Sequence, residues 1–360
     1  MVTRNVAARD RDAAGRAWLE VERWTDSRAV SCSWAWTDTW LSHFGDVVPH
    51  RFVFGVEAGG DVAAALVTES AARYPPVVGA RLAHIGTAGE PRGDGVYVER
   101  NRLLVADAQR DAFAAALLEN IEHDRRWDRL LVPGLHPADA GALRRGRPRL
   151  ELDRRESPIA ELGPGGGDPL DALDSGPRRR ARRSLKGLAP LETEWAQTPE
   201  HGHEIMDELI ELHQLRWTAA GEPGSFASAR KVAFHRALID RLQPGHGVML
   251  VRVRREGETV GCVYGQVEAG EVLFYQSGLR RYEDNKINVG LAVHVCAMRA
   301  CQEHGITAYD FLAPAMRYKS DLSTRAGTLV WAALDRGRPR THLDRALRGL
   351  KARRDQPGSS

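Results

Sequence analysis

The second half of this 360-residue chain repeats the order of elements in its first half. That repetition limits the folds open to it more than any other feature. In the first half, hydrophobic periodicity predicts a helical stretch bearing Trp18, Val21 and Trp24. Ser31 and Ser33 offer caps for a second helix, where Trp36, Trp40 and Phe44 form an apolar stripe ending at Gly45. A hairpin follows, Arg51 to Glu57 and Val62 to Thr68, turning through Gly59, Gly60 and Asp61. A third strand is expected from Val77 to Ile85, then a glycine-rich loop from Gly86 to Gly95. Next come a helix from Asp107 with Phe113, Leu117 and Ile121 on one face, and a short apolar run from Leu130 to Val132.

The second half opens with a strand from Leu191 to Ala196 and helices over His203–Thr218 and Ala227–Leu242. Three strands follow at 248–253, 259–267 and 271–277. A loop at 280–287 leads into a helix at about 288–304, which Gly305 terminates. A strand from Ala308 to Leu312, a short polar helix and a strand from Thr328 to Leu334 complete it. Trp127-Asp128-Arg129-Leu130 in one half echoes Tyr309-Asp310-Phe311-Leu312 in the other. The expected division is a first half over 1–165, a Gly- and Pro-rich linker over 166–177, a second half over 178–340 and a basic tail over 341–360.

Composition narrows the functional classes. Hydrophobic residues at 42% suffice for two cores, and a net charge of +3 argues against a dedicated nucleic-acid binder. The four cysteines, Cys32, Cys262, Cys296 and Cys301, form no CxxC pair and lack histidines at zinc spacing, so reduced thiols and no metal are expected. No apolar run is long enough to span a bilayer, and the N-terminus lacks the core of a signal peptide. A cytoplasmic location is the expectation. Only five lysines occur, at 186, 231, 286, 319 and 351, so each carries more weight than an arginine.

Several side chains stand out chemically. Asp310 sits in an apolar strand, where a carboxylate needs a partner such as Lys319 or Arg216, or serves as a base. Arg216 suits a substrate carboxylate or phosphate, and Trp217 either stacks on it or fills core. His213, one turn earlier, is either a base or a structural histidine. The run Arg178 to Lys186 and the tail with Arg345, Arg348, Lys351, Arg353 and Arg354 are either solvated basic faces or phosphate contacts.

Leu215-Arg216-Trp217, Phe274-Tyr275-Gln276-Ser277-Gly278, Gly290, and Tyr309-Asp310-Phe311-Leu312 followed by Tyr318-Lys319 carry a family resemblance in their order and spacing. The chain resembles the CelD/BcsL-like group of GNAT acyltransferases, which is related to the FemABX aminoacyltransferases. The resemblance implies an α/β fold of two tandem GNAT-like domains, each a mixed, mostly antiparallel sheet flanked by helices. It implies acyl transfer to an amine acceptor: an amino sugar, an amino acid or a specialised metabolite. The implied donor is acyl-CoA, acetyl-CoA first, with its phosphates at a helix terminus formed by Lys286, Asn288, Val289 and Gly290, and with Tyr275 beside them. Tyr318 takes the role of acid toward the leaving group, Lys319 that of carbonyl polarisation or phosphate binding, and Asp310 that of base. Arg216, Trp217, His213 and Trp36 are the implied acceptor contacts. The sequence departs from relatives in the loop 282–290, which has one glycine, and in Ala313-Pro314-Ala315 after Leu312. Two alternatives stay open: an aminoacyl-tRNA donor, and a non-enzymatic partner of a polysaccharide or envelope synthesis system.

Overall fold

A computed structural model describes residues 1–25, 29–73, 79–163, 167–284 and 286–338. The basic tail, the start of the strand expected at Val77 and the first residue of the expected linker lie outside these residues. The chain forms two compact units, residues 1–154 with 330–360, and residues 155–329.

The first unit begins with β1 (Val2–Ala7), α1 (Arg11–Trp24) and α2 (Trp34–Phe44). Ser33 caps α2 by accepting the Trp36 amide, as its position before the Trp stripe predicts. There follow β2 (His50–Glu57), β3 (Gly60–Arg73), β4 (Gly79–Ile85), β5 (Leu104–Val105), α3 (Arg110–His123), β6 (Arg129–Leu135) and α4 (Pro137–Gly146). β7 (Glu151–Glu161) then leads into the second unit. That unit carries α5 (Ser175–Leu188), β8 (Glu192–Trp195), α6 (Pro199–Ala219), α7 (Ala229–Leu242), β9 (Val248–Arg255), β10 (Glu258–Glu268), β11 (Glu271–Leu279), α8 (Val289–Glu303), β12 (Ala308–Asp310) and α9 (Arg317–Leu322). β13 (Arg325–Asp335) starts in the second unit and ends in the first.

The strand order within each unit follows one plan. In the first unit the order is β1-β2-β3-β4-β6 and then residues 330–335 of β13. In the second it is residues 155–161 of β7, then β12-β11-β10-β9-β8. Among the described residues β4 pairs parallel with β6 and β11 with β12, while β1-β2, β2-β3, β3-β4, β6-β13, β7-β12, β10-β11, β9-β10 and β8-β9 pair antiparallel. The mixed, mostly antiparallel sheet flanked by helices is therefore observed in both units.

The units differ from the contiguous halves expected from sequence. β7, which leaves the first half, adds beside β12 through Ala308↔Glu161 and Asp310↔Ile159. β13, which leaves the second half, adds beside β6 through Val330↔Leu135 and Asp335↔Arg129. Each sheet is completed by the strand that chain order assigns to the other half. β7 was not legible because its first residues, Glu151 to Glu156, are almost all charged and mostly exposed, and Pro158 interrupts the pattern. The expected linker is also shorter, because Pro169–Ala172 forms a helical turn and α5 starts at Ser175. Leu170 and Leu173 are buried there, and apolar burial outweighs the Gly and Pro content.

Helix α6 lies close on β11. A β-carbon at Gly278 would overlap the Leu209 carbonyl oxygen in the α6 backbone. Backbone cannot yield as a flexible side chain can. Gly278→Ala is therefore expected to lower unfolding free energy by about 1–3 kcal/mol. Urea denaturation would check this, and an unchanged midpoint would show that α6 can withdraw freely.

Candidate functional site

The second unit brings most of the singled-out residues onto the two faces and the open edge of one strand, β11. Its ladder with β12 covers only Glu271↔Ala308, Val272↔Tyr309 and Leu273↔Asp310, while β11 itself continues to Leu279. The two strands part after Leu273, and Phe274 to Leu279 run on beyond the pairing. On the β10 side, Tyr264 pairs with Gln276 and Gly265 with Phe274, so Tyr275 is the extra residue of a bulge. Bulges re-aim side chains and bend the strand locally.

On one face β11 meets α6 and α7. His213 donates from Nδ1 to the Ser277 carbonyl at 3.2 Å, and its Nε2 accepts the Ser225 amide at 3.2 Å. These partners define the neutral tautomer. Burial holds the His213 pKa below its usual value. With Nε2 engaged, His213 orients the 225–226 turn instead of offering a free lone pair. Trp217 leans on His213 at 5.9 Å and is 39% exposed, and Arg216 is exposed beside it. Deeper on this face, His235 lies between two tyrosines, with Nε2 3.1 Å from the Tyr275 hydroxyl and Nδ1 3.4 Å from that of Tyr264. Burial, then the Lys231 charge, pushes the His235 pKa well below its usual value. Lys231 is itself buried. Sequence reading missed His235, and the only hint of Lys231 was the scarcity of lysine.

On the other face β11 meets α8. His294 is wholly enclosed, its Nδ1 3.1 Å from the Tyr309 hydroxyl. Its ring stacks on Tyr318 at 5.7 Å and meets the edges of Phe274 and Phe311. Burial, then the Lys319 charge, pushes the His294 pKa down to about 3. His294 is therefore neutral at neutral pH.

Asp310 and Lys319 meet at one residue, Leu312. The Asp310 carboxylate accepts the Leu312 amide at 2.8 Å and the Ser157 hydroxyl at 2.5 Å. The Lys319 ammonium donates to the Leu312 carbonyl at 2.9 Å. Leu312 has φ of +57°, a left-handed conformation that a branched residue adopts only when held. The two charges brace this turn, which carries the chain away from β12 toward α9. Tyr318 is half-buried one residue before Lys319.

The start of α8 is built differently from an open phosphate cradle. The Asn288 carboxamide accepts the Leu291 amide at 3.1 Å, capping its own helix. The Asn288 amide donates to Ser184 of α5 at 3.0 Å, and Gly187 of α5 faces the Ile287 side chain. Val289 is buried, Lys286 is exposed, and Gly290 has room for a β-carbon at 3.4 Å from its nearest neighbours. α5 thus lies over this terminus. It buries Ala181, Ser184 and Leu188 and exposes Arg179, Arg182, Arg183 and Lys186. Their spacing of three and four residues puts these four cations on one face. Trp36 belongs to the first unit's core, fully buried, its indole N–H given to Thr87 at 2.7 Å.

Among the described residues no group of three or more His, Cys, Asp or Glu side chains could hold a metal, and no helix is long and apolar enough to cross a membrane.

Residues 178–320 match the family model described as an acetyltransferase (GNAT) domain. No curated protein matches the chain by sequence. Among solved structures it is similar to FemX, at 12% identity and a TM-score of 0.59, with 95% of this chain and 99% of that one covered. It is also similar to L-PGS from Bacillus licheniformis, at 11% identity and a TM-score of 0.54, covering 94% and 96%. A third is the C-terminal domain of a putative lysylphosphatidylglycerol synthetase from Agrobacterium fabrum, at 12% identity and 0.52, covering 93% and 95%.

The buried histidine yields a pH prediction. The unfolded chain protonates His294 near its ordinary pKa of 6.5, whereas the folded chain resists until about 3. Stability is therefore retained above pH 6.5 and lost as pH falls from there toward 3, by up to ~1.4 kcal/mol per pH unit for each such histidine. His294→Phe is expected to flatten the fall in melting temperature between pH 6.5 and 4. An unchanged slope would show that His294 does not set it.

Proposed function

We propose that this chain, a GNAT-fold acyltransferase of the FemABX-related group, moves an aminoacyl group from a charged tRNA to an amine acceptor. One observation carries the choice of donor: α5 covers the α8 terminus, where Ser184 holds the Asn288 amide and Asn288 caps its own helix. A nucleotide diphosphate seated there would have to displace both contacts. The same α5 presents Arg179, Arg182, Arg183 and Lys186 outward, a row suited to a phosphate backbone. The solved FemX and L-PGS share the overall fold.

In this reading the acyl carbonyl lies where β11 and β12 part. The acceptor enters on the α6 face past Arg216 and Trp217, with Tyr275 and Gln276 as its floor. The amine nitrogen attacks the ester carbonyl, an amide forms and the bond between the acyl carbon and the ribose oxygen breaks. In this reading Tyr318 gives its proton to the ribose oxygen, and the proton the amine releases restores the tyrosine hydroxyl. Lys319 and Asp310 act as positioning residues through the Leu312 turn, which sets where Tyr318 stands.

An acyl-CoA donor is the second reading, favoured by the acetyltransferase domain match over 178–320. The two separate in one assay of the full chain with charged tRNA or acetyl-CoA and a panel of amines. Arg182→Glu with Arg183→Glu is expected to raise KM for charged tRNA about tenfold or more with kcat little changed. Tyr318→Phe is expected to lower kcat at least ~100-fold. RNA-independent turnover with acetyl-CoA would overturn the tRNA assignment.

A further inference from the structure

The first unit holds an open groove of about 770 Å³, whose lining includes Arg125, Arg147, Arg149, Arg336 and Arg338. None of its lining residues belongs to the site described above. Two carboxylates, Glu122 and Asp335, also line it, and both are already countered. Glu122 takes Arg147 at 2.5 Å, and Asp335 takes Arg129, outside the lining, at 3.2 Å. Arg338 reaches the buried Asp128 at 3.0 Å. Arg125 and Arg149 are exposed at the wall, and Arg336 lies over the Trp127 ring at 4.1 Å. The lining therefore carries an excess of guanidinium charge that its own carboxylates do not balance.

Arg336 is fixed in place. It donates to the carbonyls of Glu122 and Asp124, and its guanidinium lies over the Trp127 ring. Burial, then the adjacent Arg338 charge, lowers its pKa, with Arg125 acting in the same direction. Like charges gathered around an ordered guanidinium are unfavourable unless an anion joins them.

We propose that this groove is a binding site for phosphate groups in series, either a free oligophosphate moiety or a stretch of RNA backbone. Its volume suits a ligand of several phosphates with an attached body. Arginine forks grip phosphate oxygens in pairs, and the Trp127 wall keeps Arg336 from collapsing onto the surface. Binding releases counterions, so affinity falls as salt rises.

The test is calorimetric titration of the full chain with inorganic tripolyphosphate and, separately, with a 12-nucleotide RNA, at low and moderate salt. Arg125→Glu with Arg149→Glu is expected to weaken binding about tenfold or more and to reduce the salt slope. Arg145→Glu is the control: an exposed cation of the same unit, paired with Asp111 and absent from the groove lining. Arg182→Glu with Arg183→Glu on α5 separates this site from the other basic face. Binding of tripolyphosphate that the groove variant loses supports a free oligophosphate ligand. Binding of RNA alone with the same loss supports an RNA strand. No binding of either probe, or equal loss in the control or α5 variants, overturns the proposal. Circular dichroism of each variant confirms that it is folded before titration.

Discussion

The second unit depends on how a short parallel pairing is stopped. β11 and β12 share three residue pairs, and then Leu312 enters a left-handed turn that a branched side chain resists. Two buried charges hold that turn from both ends, Asp310 on the amide and Lys319 on the carbonyl. Charge-assisted bonds of this kind are worth about 1.5–3 kcal/mol each, enough to offset the ~1–3 kcal/mol of backbone strain. Without the brace, residues 311–319 lose the geometry that puts Tyr318 against His294. The divergence of the two strands and the position of the tyrosine are thus one constraint.

The neutrality of the histidines follows from the same electrostatics. His294 and His235 are each buried beside a buried lysine, Lys319 and Lys231, on opposite faces of β11. An enclosed ammonium disfavours a second positive charge nearby, and enclosure itself disfavours any charge. Both imidazoles are therefore neutral hydrogen-bond partners of tyrosine hydroxyls, not proton acceptors at neutral pH. On each face a tyrosine contacts its histidine: Tyr275 through its hydroxyl, Tyr318 by ring stacking.

The basic residues have two distinct settings. On α5, arginines at helical spacing divide between those that pin the fold and those left facing out. Arg178 and Arg180 bond Leu173 and Asp321, and Arg179 and Arg183 are exposed. In the first unit, residues 122–149 and 334–338 meet around one groove although they are distant in the chain. Counting charge along the sequence could find the first pattern and could not find the second.

The sequence by itself determined the repeated order of elements, the helix cap at Ser33, and that Asp310 is a carboxylate in need of a partner. These follow from local periodicity, capping chemistry and the cost of a carboxylate among apolar residues. Tertiary structure alone decided the rest. Asp310 and Lys319 both bond Leu312, which spacing alone does not reveal because the turn between them is set by three-dimensional packing. Lys231 and His235 became visible only once α7 was laid on β11. The exchange of β7 and β13 was hidden because a polar strand interrupted by proline declares itself only through the partner it pairs with. Strand pairing is a non-local choice, and a one-dimensional pattern records which face is buried, not which neighbour buries it.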